Sequence, residues 1–459
     1  MGSLAAAPTF PLLTNIPTDD KELARLAPFT VSLTNGFLPL SPPLTKLPPS
    51  FSALSSLLAC MSIRTATGEP GLLATFDLGE TLLRELPDLT DEVEKVREDL
   101  RVVGALYRDY CFLASAYLLE PCHERHVKGD GYGLGRQRLP AVLARPLARV
   151  AEISGFKPFM EYAGSYALFN YRLQDPALGM EYSNLRLIRA FEHGLNPSSS
   201  EAGFVLVHVD MVQSSGLLVE GAVNALSACG DGNRKAFNVG LEGVVEAMVK
   251  VNGVMDVYEG VSEEAMSFRG ESGANDSMVS SYNPMQGHEE KSHVEQIPLC
   301  DNLLEISMPE TPLTEILSDF RSYRPRNHRQ FLEWVKDRAQ NIGVRRYAMM
   351  DRESAVLYLH ALNQVRDFRW RHWCFTREYI LKKTTHPTAT GGSPIVLWLP
   401  NQLFSVYDQM MEVEYAIDGL PECTDIMDLV QLQRRTLEKE VDKYCSEHSG
   451  RALSLTWRG

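Results

Sequence analysis

The 459-residue chain has no basic excess: 45 Lys and Arg face 59 Asp and Glu, a formal net charge of −14. A protein that tracks phosphates needs a basic face, so no nucleic-acid partner is expected. It also has no Cys-x-x-Cys pair. Its eight cysteines, at 60, 111, 122, 229, 300, 374, 423 and 445, are scattered along the chain. That excludes a disulfide framework and fits free thiols in a reducing compartment. No apolar run approaches the roughly 20 residues of a membrane span. The opening MGSLAAAPTFPLLTNIPTDD has neither the basic nor the apolar region of a secretory signal, and Ala6 stands where N-myristoylation prefers Ser or Thr. A cytoplasmic protein with no membrane association is therefore expected. With 44% hydrophobic and 23% charged residues, the composition is globular and excludes bulk disorder. Alternating strand patterns are nearly absent, and no βαβ unit can be drawn.

What is present reads as helix. After a Pro-studded stretch at 39–50, Val93, Val96, Leu100, Val103, Leu106 and Tyr110 recur at helical spacing and predict one helix over 90–118. Ser198 and Glu201 have the spacing of a capping box and open the next strong pattern. Helices are also predicted over 311–342, 352–381 and 424–445. The fold class is all-α. The polar, aperiodic segment 279–296 interrupts this text as if foreign to it.

Several constellations could carry chemistry. Val365, Phe368, His372, Phe375 and Tyr379 are spaced 3, 4, 3, 4, which puts His372 inside an apolar stripe. Such a histidine is either a core residue bonded to backbone or an axial ligand to a buried metal or haem. Phe204 and His208 share a face one turn apart, with the same two readings. GYGLG at 131–135 lacks the preceding strand of a dinucleotide fingerprint and reads as a loop. Cys122, His123 and His126 suggest a metal clip without a second ligand pair, so a surface cluster is expected. GESGA at 270–274 approaches a nucleophile elbow around Ser272, but no α/β sheet is present to expose it. TATGGS at 388–393 is a flexible loop and a candidate lid. Arg324, Arg326, His328 and Arg329 form a local basic patch that could hold an anion.

Six blocks in order carry a resemblance to the indoleamine 2,3-dioxygenases, most closely their fungal branch: LPAVLARPLARVAEISGFKPFMEYAGSYALFNYRL (139–173), EAGFVLVHVDMV (201–212), VYEGVSEEAMSFRGESGANDSM (257–278), FRSYRPRNHRQFL (320–332), FRWRHWCFTREYI (368–380) and TATGGS (388–393). The resemblance implies a smaller N-terminal helical domain (1–193), a larger C-terminal one (194–459), and haem b, ferrous in its active form. It implies His372 as the haem ligand, with Asp301 and Arg369 behind it and Ser272 over the haem. Phe204, His208 and Ser272 would stand on the reacting side. Tyr162, Ser165, Phe204, His208, Gly273, Ala274, Thr390 and Gly391 would surround the substrate. The implied reaction joins O2 to L-tryptophan, or a related indoleamine, across the indole C2–C3 bond to give N-formylkynurenine, in the kynurenine route towards NAD. An electron donor would keep the iron ferrous, and a monomer is the family expectation.

Two departures bear on this. Asp256 runs straight into Val257, where the family carries a few tens of residues including a pocket Phe and an Arg for the substrate carboxylate. Residues 279–296 then break a block that otherwise reads GANDSM and IPLCDNLLEI. Both read as a skipped exon and a retained intron: Val279-Ser280 can be encoded by GTNAGN and Gln296 by CAG. If the chain is as written, a haem-binding protein with little or no catalysis is the alternative. A serine hydrolase built on Ser272 is a third.

Overall fold

The computed structural model describes residues 10–448 apart from 132, 194–195, 197–198, 271–294, 308–322, 382–394 and 417–420. Among the described residues the chain is almost entirely helical, as its patterning predicts. The helices are α1 (Asp20–Arg25), α2 (Ser52–Met61), α3 (Leu72–Thr75), α4 (Leu78–Glu85), α5 (Thr90–Val96), α6 (Leu100–Val127), α7 (Ala141–Ser154), α8 (Ser200–Val212), α9 (Ser215–Gly230), α10 (Arg234–Gly270), α11 (Gln296–Leu303), α12 (Arg326–Ile342), α13 (Val344–Met349), α14 (Arg352–Thr376), α15 (Ile395–Ala416) and α16 (Thr424–His448). The only sheet among these residues pairs β1 (Tyr171–Leu173) with β2 (Leu185–Leu187), antiparallel.

Two helices act as hubs. In the N-terminal part, α6 packs against α4, α7 and a π turn at Tyr162–Tyr166. In the C-terminal part, α10 packs against α8, α9 and α14, and α14 packs on α15, which packs on α16. One continuous apolar core runs from Phe29 to Tyr444. The aromatic Tyr107 shows how the two levels connect. It is fully buried, stacks on Phe156 at 4.7 Å, and its hydroxyl donates to the Phe159 carbonyl at 2.6 Å. That fixes the approach to the π turn. Gly164 inside the turn has no room for a side chain: a Cβ there would come within 2.5 Å of the Phe156 ring.

Local rules that periodicity cannot see change two expectations. The helix expected over 90–118 is two helices, because the Asp99 carboxylate accepts from the Arg101 and Val102 N–H groups and starts α6 afresh. The cap of α8 is Ser199, not Ser198: its hydroxyl accepts from Ala202 N–H at 3.2 Å, while Glu201 turns away to other partners. In the region expected as one helix over 311–342, the described part is α12, from Arg326.

The 201–230 stretch corrects the reading that no apolar run reaches membrane-span length. A window of it passes that test with a mean hydropathy of 1.5. It is 72% buried inside the protein, and the chain turns at 213–214 between α8 and α9. Both features are those of core helices.

Candidate functional site

The α14 stripe carries one histidine with two open readings, core residue or ligand. Val365 is fully buried and Phe368 nearly so, whereas His372 and Phe375 are only half-buried. The face that α14 buries at this end carries Arg369, Trp373 and Thr376 instead. His372 therefore lies at the edge of the core, beside apolar residues, rather than inside it.

Behind it, Arg369 Nη2 bridges both oxygens of Asp301 at 2.8 and 2.7 Å, and Nη1 donates to the Gln402 carbonyl at 3.2 Å. Asp301 and Arg369 are brought together as expected, tying α11, α14 and α15 one turn before His372. One turn after it, Glu440 of α16 accepts from the Trp373 indole N–H at 2.7 Å and from Arg377 at 2.6 Å. Arg377 opens a π turn, Arg377–Leu381, that leads out of the helix. Arg371 pairs with Asp256 and with Asp367, so Asp256, at the 256/257 junction, sits against the same helix. α10 runs unbroken through that junction.

A second cluster assembles where α8 meets the π turn. The Tyr162 ring lies 5.6 Å from His208 and 6.5 Å from Phe204, and Phe204 lies 4.8 Å from His208. These three expected residues are therefore together. His208 Nδ1 is 2.6 Å from the Phe204 carbonyl oxygen. A carbonyl only accepts, so Nδ1 carries a proton. Ser165 is placed differently: it is fully buried and its hydroxyl donates to the Glu161 carbonyl within the turn. Glu161, itself buried, caps the turn by accepting from Ala163 and Gly164 N–H. A π turn of this kind is an irregularity that often marks a working site. Beyond Tyr162 the aromatic wall continues through Tyr166 at 5.9 Å, and Phe191 and Phe112 stack at 4.7 Å. α8 and α14 both pack on α10, so the helix carrying Phe204 and His208 and the helix carrying His372 share one neighbour.

Ser272, Gly273, Ala274, Thr390 and Gly391, with the insertion up to residue 294, lie outside the described residues. The metal clip is not formed: Cys122 and His123 are buried rather than a surface cluster, and burial, then His126, holds the His123 imidazole down at about 4. No group of three His, Cys, Asp or Glu suited to a metal ion occurs among the described residues. The basic patch is split, with His328 fully buried 3.1 Å from Glu295 and Arg326 exposed. Tyr166, Phe191, Glu161 and Glu440 were not singled out from sequence. Tyr166 had a signal, four residues after Tyr162; Glu161 caps a turn with no periodic trace, and the partners of Glu440 lie 63 and 67 residues away.

The donor set fits one kind of prosthetic group. A protein-bound metal ion needs three or four converging side chains. A haem brings four ring nitrogens and asks for one imidazole at the edge of an apolar surface, with a charged pair near it. His372, Phe368, Phe375 and the Asp301–Arg369 pair supply that.

The fold and site define a helical protein with one half-buried imidazole, His372, beside apolar residues and a separate aromatic wall holding another, His208. The profile of "Indoleamine 2,3-dioxygenase" matches residues 25–257 and again 247–395. The two stretches overlap around the 256/257 junction. An indoleamine 2,3-dioxygenase of Saccharomyces cerevisiae is 21% identical over 366 residues, covering 69% of this chain and 77% of the yeast protein. The chain belongs to the indoleamine 2,3-dioxygenase family, a family of haem enzymes.

Proposed function

We propose that the protein is a haem-dependent dioxygenase that opens the indole C2–C3 bond of L-tryptophan with O2 to give N-formylkynurenine, in the kynurenine route towards NAD. Family membership supports the oxygenase class, and the tautomer of His208 carries the substrate assignment. An indole has one polar handle, a ring N–H that only donates. His208 donates from Nδ1 to the Phe204 carbonyl, so in its neutral form Nε2 is the ring atom that would accept from that N–H.

His372 would hold the haem, with Asp301 and Arg369 orienting it and Ser272 above it. The bound haem, kept ferrous by an electron donor, would supply activation of O2. The remaining work falls to the chain. Tyr162 and Phe204 orient the indole plane by ring contact. His208 fixes which edge of the ring faces inward and neither gives nor takes a proton. The buried π turn, with Ser165 closing it, keeps water from the wall. Gly273, Ala274, Thr390 and Gly391 would close over the bound substrate. A cytoplasmic monomer is part of this reading.

One feature favours a second reading, haem binding with little turnover: no residue at the 256/257 junction replaces the Arg expected for the substrate carboxylate. The test is to load the protein with haem, reduce it, and supply L-tryptophan and O2. N-formylkynurenine supports the dioxygenase. A Soret band without product supports the second reading, and a serine-reactive phosphonate that labels Ser272 without any Soret band overturns both.

A further inference from the structure

Glu201 and Glu192 form a buried acidic pair that the proposed reaction does not use. Glu201 is fully buried in the first turn of α8. Its two oxygens accept from Phe191 N–H at 3.0 Å each, and one also accepts from Glu192 N–H at 3.0 Å. Glu192 is 1% exposed, and neither of its oxygens has a hydrogen-bond partner among the described residues. His193 Nε2 lies 3.6 Å from one of them and is itself partly exposed. Arg64 acts on His193 rather than on either glutamate, and its N–H donates to the Glu192 carbonyl at 2.7 Å. The side-chain groups facing the pair are thus each other, His193 and the Tyr166 hydroxyl.

The pair is joined to the site in two ways. Glu201, Phe204 and His208 are spaced 3 and 4, which places them on one stripe of α8. The backbone that Glu201 grips belongs to Phe191, whose ring stacks on Phe112 at 4.7 Å and on Tyr166 at 6.3 Å. Tyr166 abuts Tyr162, and Tyr162 abuts His208. Letting go of Phe191 would loosen the wall from behind while α8 moved in front.

We propose that Glu201 is a positioning residue for the aromatic wall, and that the Glu192–Glu201 pair holds the wall in place only while it keeps a proton. Two carboxylates cannot both ionise in a buried site without a cation. The wall then depends on pH through groups that touch neither substrate nor haem. Burial, then the neighbouring Glu201, pushes Glu192 up to about 9, and burial pushes Glu201 up to about 7 against the pull of its two N–H donors and Tyr166. The sign follows. Carboxyls held above their ordinary 4.5 stabilise the fold fully below that pH and lose the contribution as pH rises through their folded values.

The substrate arm of the test rests on the dioxygenase reading; the stability arm does not. Thermal melts of the haem-loaded protein between pH 5.5 and 9 would compare wild type with Glu192→Gln, which mimics the protonated acid. The expected result is a variant whose melting advantage widens from pH 5.5 to pH 9, reaching at least about 3 °C at pH 9. A shift of equal size at every pH overturns the proposal, since packing alone would give that. Should Glu192→Gln not fold, Glu192→Met carries the same comparison. In steady-state turnover, KM for L-tryptophan should rise from pH 6 to pH 9 in wild type and stay flat in Glu192→Gln. Glu201→Gln should raise KM at pH 7 at least about threefold, with kcat changed less. Flat melts with an unchanged KM profile would remove the positioning role. No L-tryptophan binding by any variant would sink the dioxygenase reading and, with it, the positioning role, while the melts still decide the paired proton.

Discussion

In the dioxygenase reading, a single proton on His208 sets how the aromatic wall addresses an indole. Because Nδ1–H donates to the Phe204 carbonyl, Nε2 is the ring atom that would accept from the indole N–H. His208→Ala should raise KM for L-tryptophan about 3- to 10-fold, the worth of one neutral hydrogen bond, with a smaller effect on kcat. A steady-state comparison checks it, and a selective loss of kcat would mean that His208 works in the bond-breaking step instead. His372→Ala should abolish the Soret band of the purified protein while leaving the helical far-ultraviolet signal intact. The two histidines were legible in the sequence because a 3-and-4 spacing reports a face. Which of core or ligand a histidine is was not legible from spacing. That turned on whether its neighbours Arg369 and Trp373, rather than His372, took the buried side of α14. Glu201 was legible only as a residue of a helix start, because its bonds to the Phe191 and Glu192 N–H groups follow no spacing rule, and Glu440 was illegible because its partners lie 63 and 67 residues away.

At the scale of elements, α14 is held on two sides. Asp301 grips it before His372 and Glu440 after it. The Trp373 indole N–H is otherwise a buried donor, and leaving it unsatisfied costs about 1–3 kcal/mol. Glu440→Ala should therefore lower the melting temperature and speed haem loss to an apomyoglobin acceptor, and Glu440→Gln should restore part of both by keeping an acceptor for the indole. Rates equal to wild type in Glu440→Ala would show that α16 does not steady the ligand helix. Helix identity was readable from apolar periodicity along most of the chain. Boundaries were not: a stripe runs smoothly from Val93 to Tyr110, yet Asp99 takes two N–H groups for its own carboxylate and ends one helix to begin another. The π turn at Tyr162–Tyr166 leaves no periodic trace, since one residue out of step is noise in a hydrophobic count.

For the molecule as a whole, two buried acid sites set opposite limits. Burial opposes ionisation of Asp109, but Arg108 at 2.8 Å and Arg189 at 2.7 Å outweigh it and hold the carboxyl down at about 2. That contribution is present above its ordinary 3.8 and is lost as pH falls through about 2, the reverse of the Glu192–Glu201 pair. Asp109→Asn should cost about 3–5 kcal/mol at neutral pH by stranding two buried guanidinium groups, read as the shift of a urea unfolding curve. The junction at 256/257 makes the other whole-chain prediction. If the chain functions as written, losing a charged clamp costs on the order of 2–5 kcal/mol, roughly 30- to 5,000-fold in kcat/KM. A chain carrying the family's intervening segment should regain it. Amplified transcripts that encode residues 251–300 as written would sink the exon and intron reading. Arg371, beside the junction, is already paired with Asp256 and Asp367. Finally, Trp373 has an optical consequence. It is fully buried, adjacent in sequence to His372, and half-buried Trp370 lies on the same helix. A porphyrin seated on His372 would drain the excited state of these indoles, so the intrinsic emission of the protein should darken as haem is added and brighten as it leaves, a built-in gauge of occupancy that needs no substrate.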